Sequence, residues 1–285
     1  MSVRYAALLI PVLLAGPALA QEDPGRAAPA IDPEKLNGDR LTIGLGAGAV
    51  PSYEGSDDMV IVPVPAATGR VSGFNFTLRG NRAWVDLIPT PGGPGWDFQA
   101  GPLVSINFNR NSRIEDAQVK ALGKIPVAVE GGGFVGIGRQ GVFTSDYDKF
   151  TFSVGYVHDV GKVHRSYVIT PSLDYGTPLS RKAFVAINLS ADYMGEGYAD
   201  TYFSVTPAGS AASGLPVFSA GKGWKDWSLG AVTMISLTGD LTGGLQAVGG
   251  VNYRRLLDDA GDSPVTSIAG SRDQWAGVLG LAYTF

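Results

Sequence analysis

Cysteine is absent from this 285-residue chain, and histidine occurs only twice. Without thiols there is no disulfide framework, thiolate metal site or cysteine nucleophile, and a metal site would have to rely on carboxylates. Charged residues make up only 17% of the chain, whereas a soluble domain usually carries about a quarter. The net charge of −4 has the wrong sign for a general nucleic-acid-binding protein, which normally carries a basic surplus. These absences favour a protein that has no cofactor and no nucleic-acid partner.

The N-terminus has the pattern of a secretory signal peptide over residues 1–20. Arg4 precedes the apolar run 6–16, and an A-x-A cleavage motif predicts a mature start at Gln21. The apolar run is too short for a transmembrane helix, which needs about 20 residues. The following stretch, 21–40, is rich in proline, alanine and acidic residues and predicts a flexible periplasmic lead-in. The sequence therefore predicts an exported protein.

From residue 41 onward apolar residues recur with a period of two, about twelve times, and no window has the pattern of an amphipathic helix. The alternation is less clean over 58–88, which holds two or three strands, and Pro63 and Pro65 cannot donate to a ladder there. In the clearest segment, 274–285, small or polar residues alternate with mostly bulky apolar ones. The mostly bulky set consists of Trp275, Gly277, Leu279, Leu281, Tyr283 and Phe285.

These strands fit a membrane barrel better than a soluble sheet. They run to roughly 10 to 13 residues, close to the 9–11 that a tilted membrane strand needs. Aromatic residues lie near strand ends, as interfacial girdles require. The connecting loops alternate between a side with three long loops (109–124, 194–223 and 255–273) and a side with short turns only. Residues 41–285 are therefore predicted to form an all-β, transmembrane antiparallel β-barrel of about 12 strands, of the outer-membrane type.

The inward face of this barrel is predicted to carry few charges. The expected luminal charges are Arg79, Arg82, Asp86, Asp97, Glu130, Asp174 and Asp192. Such residues either select solutes in a channel or pair with one another and close the lumen. A barrel of about twelve strands is intermediate between a side-chain-filled and an open one, so both alternatives stay open.

Three patterns suggest chemistry, and each has a simpler explanation. His164 and Ser166 share a strand face, but no carboxylate is predicted beside them to orient the imidazole. The G-x-G-x-x-G pattern at 136–141 has no following helix, so a glycine-rich strand entering a turn is expected. Acidic loop residues lack the spacing of a known calcium loop: Glu54, Asp57, Asp58, Asp258, Asp259 and Asp262. We therefore expect no enzyme and no metal site.

Several segments resemble the MipA/OmpV family of outer-membrane proteins. They are the glycine-rich strand 44–48 with loop 51–57, the segment 158–164 between two central strands, the segment 192–205, and the terminal aromatic strand 280–285. The resemblance covers nearly all of 41–285. The residues that match family-like loop and strand positions are Tyr53, Gly55, Ser56, Asp57, Asp159, His164, Tyr198, Tyr202 and Phe203.

The resemblance implies an outer-membrane location and a non-enzymatic role. The family's named member is a scaffold that bridges a lytic transglycosylase to a murein synthase, so those two enzymes are the implied partners. The terminal Tyr283 and Phe285 resemble the signal that barrels present to the barrel assembly machinery, and the outer strand faces would contact membrane lipid. The polar inward face leaves a narrow channel for small solutes as the alternative function.

Overall fold

Alternation of outward apolar and inward small or polar side chains produces a closed sheet of twelve antiparallel strands. The computed structural model describes residues 38–90, 93–111 and 113–285, so the predicted signal peptide and most of the lead-in lie outside the described residues. The strands are β1 (Arg40–Pro51), β2 (Met59–Val71), β3 (Phe74–Arg79), β4 (Arg82–Asp86), β5 (Gly95–Asn107), β6 (Ala128–Gln140), β7 (Lys149–Asp159), β8 (Tyr167–Pro178), β9 (Ala183–Met194), β10 (Gly223–Ser236), β11 (Gly244–Leu256) and β12 (Asp273–Thr284). The predicted barrel is confirmed, and 58–88 holds three strands.

Each strand pairs with its sequence neighbours, and β1 pairs with β12 to close the sheet. Hydrogen bonds fix the closure at its lower end, where Phe285 N–H donates to the Leu41 carbonyl at 2.9 Å. The strands form a full cycle, as crossing a bilayer with strands requires, and the upper half of β2 is left with a strand partner on one side only. Within the described residues, no helix is long and apolar enough to cross a membrane.

The two faces of β12 separate as the period predicts. Leu279 is 74% exposed and Phe285 is 70% exposed on the outer surface. Gln274, Ala282 and Thr284 are buried on the inner face. Bulky apolar side chains therefore face the region that lipid occupies, and small or polar ones face the lumen.

The loops confirm the predicted alternation. The loops at one end include 108–127, 195–222 and 257–272, whereas the turns at the other end are short. Outer-membrane barrels carry their long loops outside and short turns on the periplasmic side, so the first is the outer end. These outer loops also contain helices of four to eight residues, which are too short to give the long amphipathic repeat that the sequence lacks. The helices are α1 (Ala117–Ala121), α2 (Glu196–Phe203), α3 (Pro207–Ser213), α4 (Asp258–Asp262) and α5 (Pro264–Ser267).

The prolines of β2 are tolerated because β3 and β4 are short. β3 pairs with β2 only from Ala66 to Val71, so the upper half of β2 has β1 as its strand neighbour. The Pro65 carbonyl accepts from Gly80 N–H on the β3 side, and the Ile61 carbonyl accepts from Arg113 at 2.7 Å. The N–H and C=O groups of one residue point to the same side of a strand. The backbone N–H groups that Pro63 and Pro65 lack would therefore point to the side of β2 that has no strand partner, so no ladder hydrogen bond is lost.

Glycines at the β1–β12 closure permit a close approach that a side chain would prevent. A Cβ on Gly280 would lie 2.7 Å from Gly46 Cα, whereas one on Gly277 would have 3.8 Å to its nearest atom. We predict that Gly280→Ala lowers the free energy of unfolding by about 1–3 kcal/mol through overpacking. The matched control Gly277→Ala should stay within about 0.5 kcal/mol of the unmodified barrel. Denaturant titration followed by heat-modifiable gel mobility measures both, and equal stabilities would contradict the prediction.

Candidate functional site

A cluster of charged residues fills the outer end of the lumen. The luminal charge cluster consists of Glu54, Asp192, Lys225, Asp226 and Arg254. Glu54 comes from the β1–β2 loop, and the other four come from the upper parts of β9, β10 and β11. The cluster therefore ties a loop to the barrel wall.

Lys225 is the centre of the cluster. Its Nζ lies 2.8 Å from Glu54 Oε1, 3.1 Å from Asp192 Oδ2 and 3.5 Å from Asp226 Oδ2. Arg254 adds a second cation, with Nη1 3.4 Å from Glu54 Oε1. Only 4% of the Lys225 side chain is exposed. A buried ammonium is tolerated only when carboxylates compensate its lost hydration, and three carboxylates do so here.

A local irregularity in β10 turns Lys225 inward. The β9–β10 register shifts between Trp224 and Asp226, which marks a β-bulge. Lys225 and Asp226 are consecutive, yet both are buried, while Trp224 is 44% exposed on the outer surface. Strict alternation would place one of the two charges in lipid, so the bulge permits the ion pair.

Aromatic residues connect the cluster to α2. Tyr198 Oη donates to Glu54 Oε2 at 2.8 Å and accepts from Asn107 Nδ2 at 3.2 Å. The Tyr198 and Tyr202 ring centroids lie 4.6 Å apart, and the His164 ring is 5.0 Å from Tyr198. All three side chains are buried. The helix therefore forms a lid whose underside contacts the ion pairs.

His164 has a carboxylate partner that the sequence did not indicate. Its Nε2 lies 3.2 Å from Glu130 Oε1 on β6, and its backbone N–H donates to Asp159 Oδ2 at 2.7 Å. The expectation that no carboxylate lies beside His164 is therefore wrong, because the partner comes from another strand. Ser166 contributes its carbonyl to Asp159 N–H. The histidine side chain is fully buried, so it is not accessible to a substrate.

Most family-like positions contribute to this closed end. Tyr53 is buried and donates to the Ala269 carbonyl at 2.5 Å. Gly55 has a φ of +103°, and a Cβ there would lie 2.5 Å from Thr266 Oγ1. Ser56 is buried beside it. These contacts fix the β1–β2 loop so that Glu54 points inward.

The remaining positions lie in three places. Asp159 is buried and shapes the 160–166 loop, and Phe203 is the buried last residue of α2. Asp57 is exposed at the outer surface and does not join the cluster. Tyr283 and Phe285 are exposed at the periplasmic end, with ring centroids 4.8 Å apart.

The other chemical patterns have structural roles. Residues 136–141 end β6 and enter a turn, where Gly141 has a φ of +73°. Of the acidic loop residues, Asp259 Oδ2 accepts from Gly221 N–H at 2.7 Å, and Asp262 pairs with Arg272. No group of three metal-ligating side chains occurs among the residues that the structure describes.

A polar cavity of about 590 Å³ lies beneath the charge cluster. Five of the predicted luminal charges line it: Arg79, Arg82, Glu130, Asp174 and Asp192. The other two are buried near the periplasmic end, where Asp97 pairs with Lys149 at 2.5 Å and Asp86 accepts from Ala100 N–H at 3.1 Å. The cavity reaches down to Thr151, two residues from the periplasmic end of β7, while Glu54 and Tyr198 bound its outer end.

Electrostatics favour the ionised form of Glu54. Burial opposes its ionisation, but Lys225 and Arg254 outweigh burial, so the pKa of Glu54 is below its usual value. Burial, together with the charge of Glu54, raises the pKa of Tyr198 well above its usual value. Tyr198 is therefore a hydrogen-bond donor to a carboxylate over the physiological pH range.

These features define a class: an outer-membrane-type β-barrel of twelve strands whose own loops close its outer end. The family model described as "MltA-interacting protein MipA" matches residues 43–285. The chain belongs to the MipA family.

Solved structures with similar folds are distant from this chain. The CymD monoaromatic hydrocarbon channel is 9% identical with a TM-score of 0.39, covering 89% of this chain and 91% of that one. The Pseudomonas putida toluene transporter TodX is 10% identical with a TM-score of 0.35, covering 87% and 89%. OmpT of Vibrio cholerae is 5% identical with a TM-score of 0.34, covering 87% and 97%. No curated protein matches the chain.

Removing the central cation should destabilise the barrel. Lys225→Met leaves Glu54, Asp192 and Asp226 buried with Arg254 alone, and breaking a buried pair in this way costs about 3–5 kcal/mol. We expect that loss in denaturant titrations at pH 7. The control is Asp273→Asn, which breaks the exposed pair with Arg255 and should cost about 0–1 kcal/mol. A similar, small loss in both variants would show that the cluster contributes little.

The contribution of Glu54 should depend on pH. Its pKa is lowered in the folded state, so its stabilisation is complete above the usual value of 4.5 and is lost as the pH falls through the folded pKa. We expect the stability difference between the unmodified barrel and Glu54→Gln to be constant near neutrality and to shrink below about pH 4.5. Glu115→Gln, at an exposed carboxyl, is the control. A difference that grows on acidification would contradict the assignment.

Proposed function

We propose that this protein is a non-enzymatic adaptor in the outer membrane that binds a murein-processing enzyme at its periplasmic end. The observation that carries the proposal is the closed outer end of the lumen, where buried ion pairs fix Glu54 and α2 to the barrel wall. Such closure suits a membrane anchor better than an open pore. The family is described as an MltA-interacting protein, which supports a lytic transglycosylase as one partner; a murein synthase is the second partner that we propose.

The periplasmic turn 141–148 is the docking site that we favour. The buried Asp148 carboxylate accepts from the backbone N–H groups of Val142, Phe143 and Thr144 at 2.6 to 2.8 Å. These hydrogen bonds hold the pKa of Asp148 well below its usual value, despite burial. The turn is thus rigid before it meets a partner, which reduces the entropic cost of binding.

The exposed part of this turn has two sides. Phe143 packs against Tyr175, with ring centroids 5.7 Å apart, on the lipid-facing side of the rim. Tyr147, 46% exposed, lies with Ser145 and Asp146 at the tip. We assign Phe143 to the membrane interface and Tyr147 to the partner, because a tyrosine ring gives a large contact area at low entropic cost.

A binding measurement tests this assignment. The refolded barrel is immobilised in nanodiscs, and a purified lytic transglycosylase of the MltA type is titrated. Tyr147→Ala should weaken binding by at least about 30-fold, the effect of losing an interfacial hot spot. Lys182→Ala, exposed on the neighbouring turn, should leave the affinity unchanged. If Tyr147→Ala binds with unchanged affinity, the turn 141–148 is excluded as the docking site. If the unmodified barrel does not bind the enzyme, the adaptor role is contradicted.

A gated channel is the second candidate, and the 590 Å³ polar cavity favours it. Solute could cross only if the luminal charge cluster released the β1–β2 loop and α2. In that case charge reversal at Glu130 or Asp192, which line the cavity, should alter ion selectivity.

A further inference from the structure

Two arginines lie side by side on the cavity wall without a salt bridge, and Asp192, the carboxylate that interacts with Arg82 over a longer distance, is already paired with Lys225. Arg79 on β3 and Arg82 on β4 are direct partners in the register of the hairpin, and both line the cavity. Among the described residues neither has a carboxylate within 4.0 Å of its guanidinium nitrogens, which sets them apart from Lys225 and Arg254. Like charges at directly opposed positions of a strand pair destabilise the sheet. The barrel therefore tolerates a repulsion that an anionic ligand would relieve.

The geometry of the hairpin presents both guanidinium groups to the lumen. β3 and β4 are short, and the turn between them lies beside the upper part of β5. In this turn Asn81 Nδ2 donates to the Ile106 carbonyl at 2.7 Å. The Arg79 guanidinium lies 5.7 Å from the centroid of the Trp84 ring, which favours a fixed orientation. Paired, oriented guanidinium groups match the two oxygens of a carboxylate.

A carboxylate without a salt bridge, Asp174, lines the same cavity. Asp174 lies on β8, which the closed strand order separates from β4 by β5, β6 and β7. It accepts from Asn188 Nδ2 at 2.9 Å and from Ser172 Oγ at 3.2 Å. In the described part of the chain it has no cation within 4.0 Å. The same cavity thus has two arginines on one part of its wall and a carboxylate on another part, none of which forms a salt bridge.

We propose that this cavity binds a short zwitterionic peptide, with its C-terminal carboxylate on Arg79 and Arg82 and its N-terminal ammonium on Asp174. An extended tripeptide separates these charges by about 10 Å, and a cavity of 590 Å³ falls in the size range of small-ligand sites. Hydroxyl and amide side chains that also line the cavity, such as Ser153, Ser190 and Asn188, are able to hydrogen-bond peptide groups. The site is independent of the adaptor role and of the turn 141–148.

Trialanine and two blocked analogues test the proposal on the refolded mature chain in detergent. Isothermal titration calorimetry should detect trialanine, while N-acetyl-trialanine, which lacks the ammonium, and trialanine amide, which lacks the carboxylate, should each bind at least tenfold more weakly. Arg79→Gln/Arg82→Gln should lose the preference for the free carboxylate, and Asp174→Asn should lose the preference for the free ammonium. Arg139→Gln, at an exposed arginine over Trp96 on the outer surface, is the matched control.

Each result bears on the proposal. Heat-modifiable gel mobility establishes that every variant is folded before titration, so loss of the calorimetric signal means loss of binding and not loss of folding. Trialanine binding with the expected analogue and variant pattern would support a zwitterion site. The proposal is overturned if trialanine does not bind, if the acetylated peptide binds as well as the free one, or if Arg139→Gln weakens binding as much as the paired substitution.

Discussion

The ion pair between Glu54 and Lys225 is the contact on which closure of the outer end depends. It joins a loop to the barrel wall, and Tyr198 extends the connection to α2. If either partner left, the other would lose its shortest ion pair, with Arg254 remaining for Glu54 and Asp192 and Asp226 remaining for Lys225. The energetic consequence is that the loops behave as one cooperative unit with the strands below them.

The bilayer imposes the second constraint, because every strand must pair and every outward side chain must suit lipid. This explains why the short β3–β4 hairpin lies beside a strand whose prolines lack donors on the open side. It also explains the bulge at Lys225: a lysine on the outer face would contact hydrocarbon, whereas two consecutive inward charges satisfy both the lipid face and the lumen.

The period of two was sufficient to predict the twelve strands and the faces of β12, because alternation is a local property of the chain. The inward orientation of Arg254 was also predictable, because it shares a face of β11 with the polar residues Gln246 and Asn252. Lys225 could not, because the bulge breaks the alternation that would have placed it outside. Glu54 and the Glu130–His164 contact depend on how loops and distant strands meet, which no local pattern encodes. The short helix α2 was not predicted, because eight residues are too few to show a helical period of apolar residues.

The two ends of the molecule therefore have different roles in this account. The outer end is closed by buried charge, the periplasmic end presents a turn made rigid by Asp148, and the polar cavity lies between them. An adaptor needs the first two features and leaves the third for a small ligand. The family-like positions Tyr53, Tyr198 and Tyr202 are all buried at the closed end.

Single-channel conductance of the refolded mature chain in a planar bilayer shows whether the outer end of the lumen is closed. Insertion is verified first by heat-modifiable gel mobility. We expect an inserted but silent barrel, and discrete conductance steps once residues 196–203 are deleted. Steady, reproducible steps from the unmodified chain would contradict this expectation, because the luminal charge cluster would then not close the lumen.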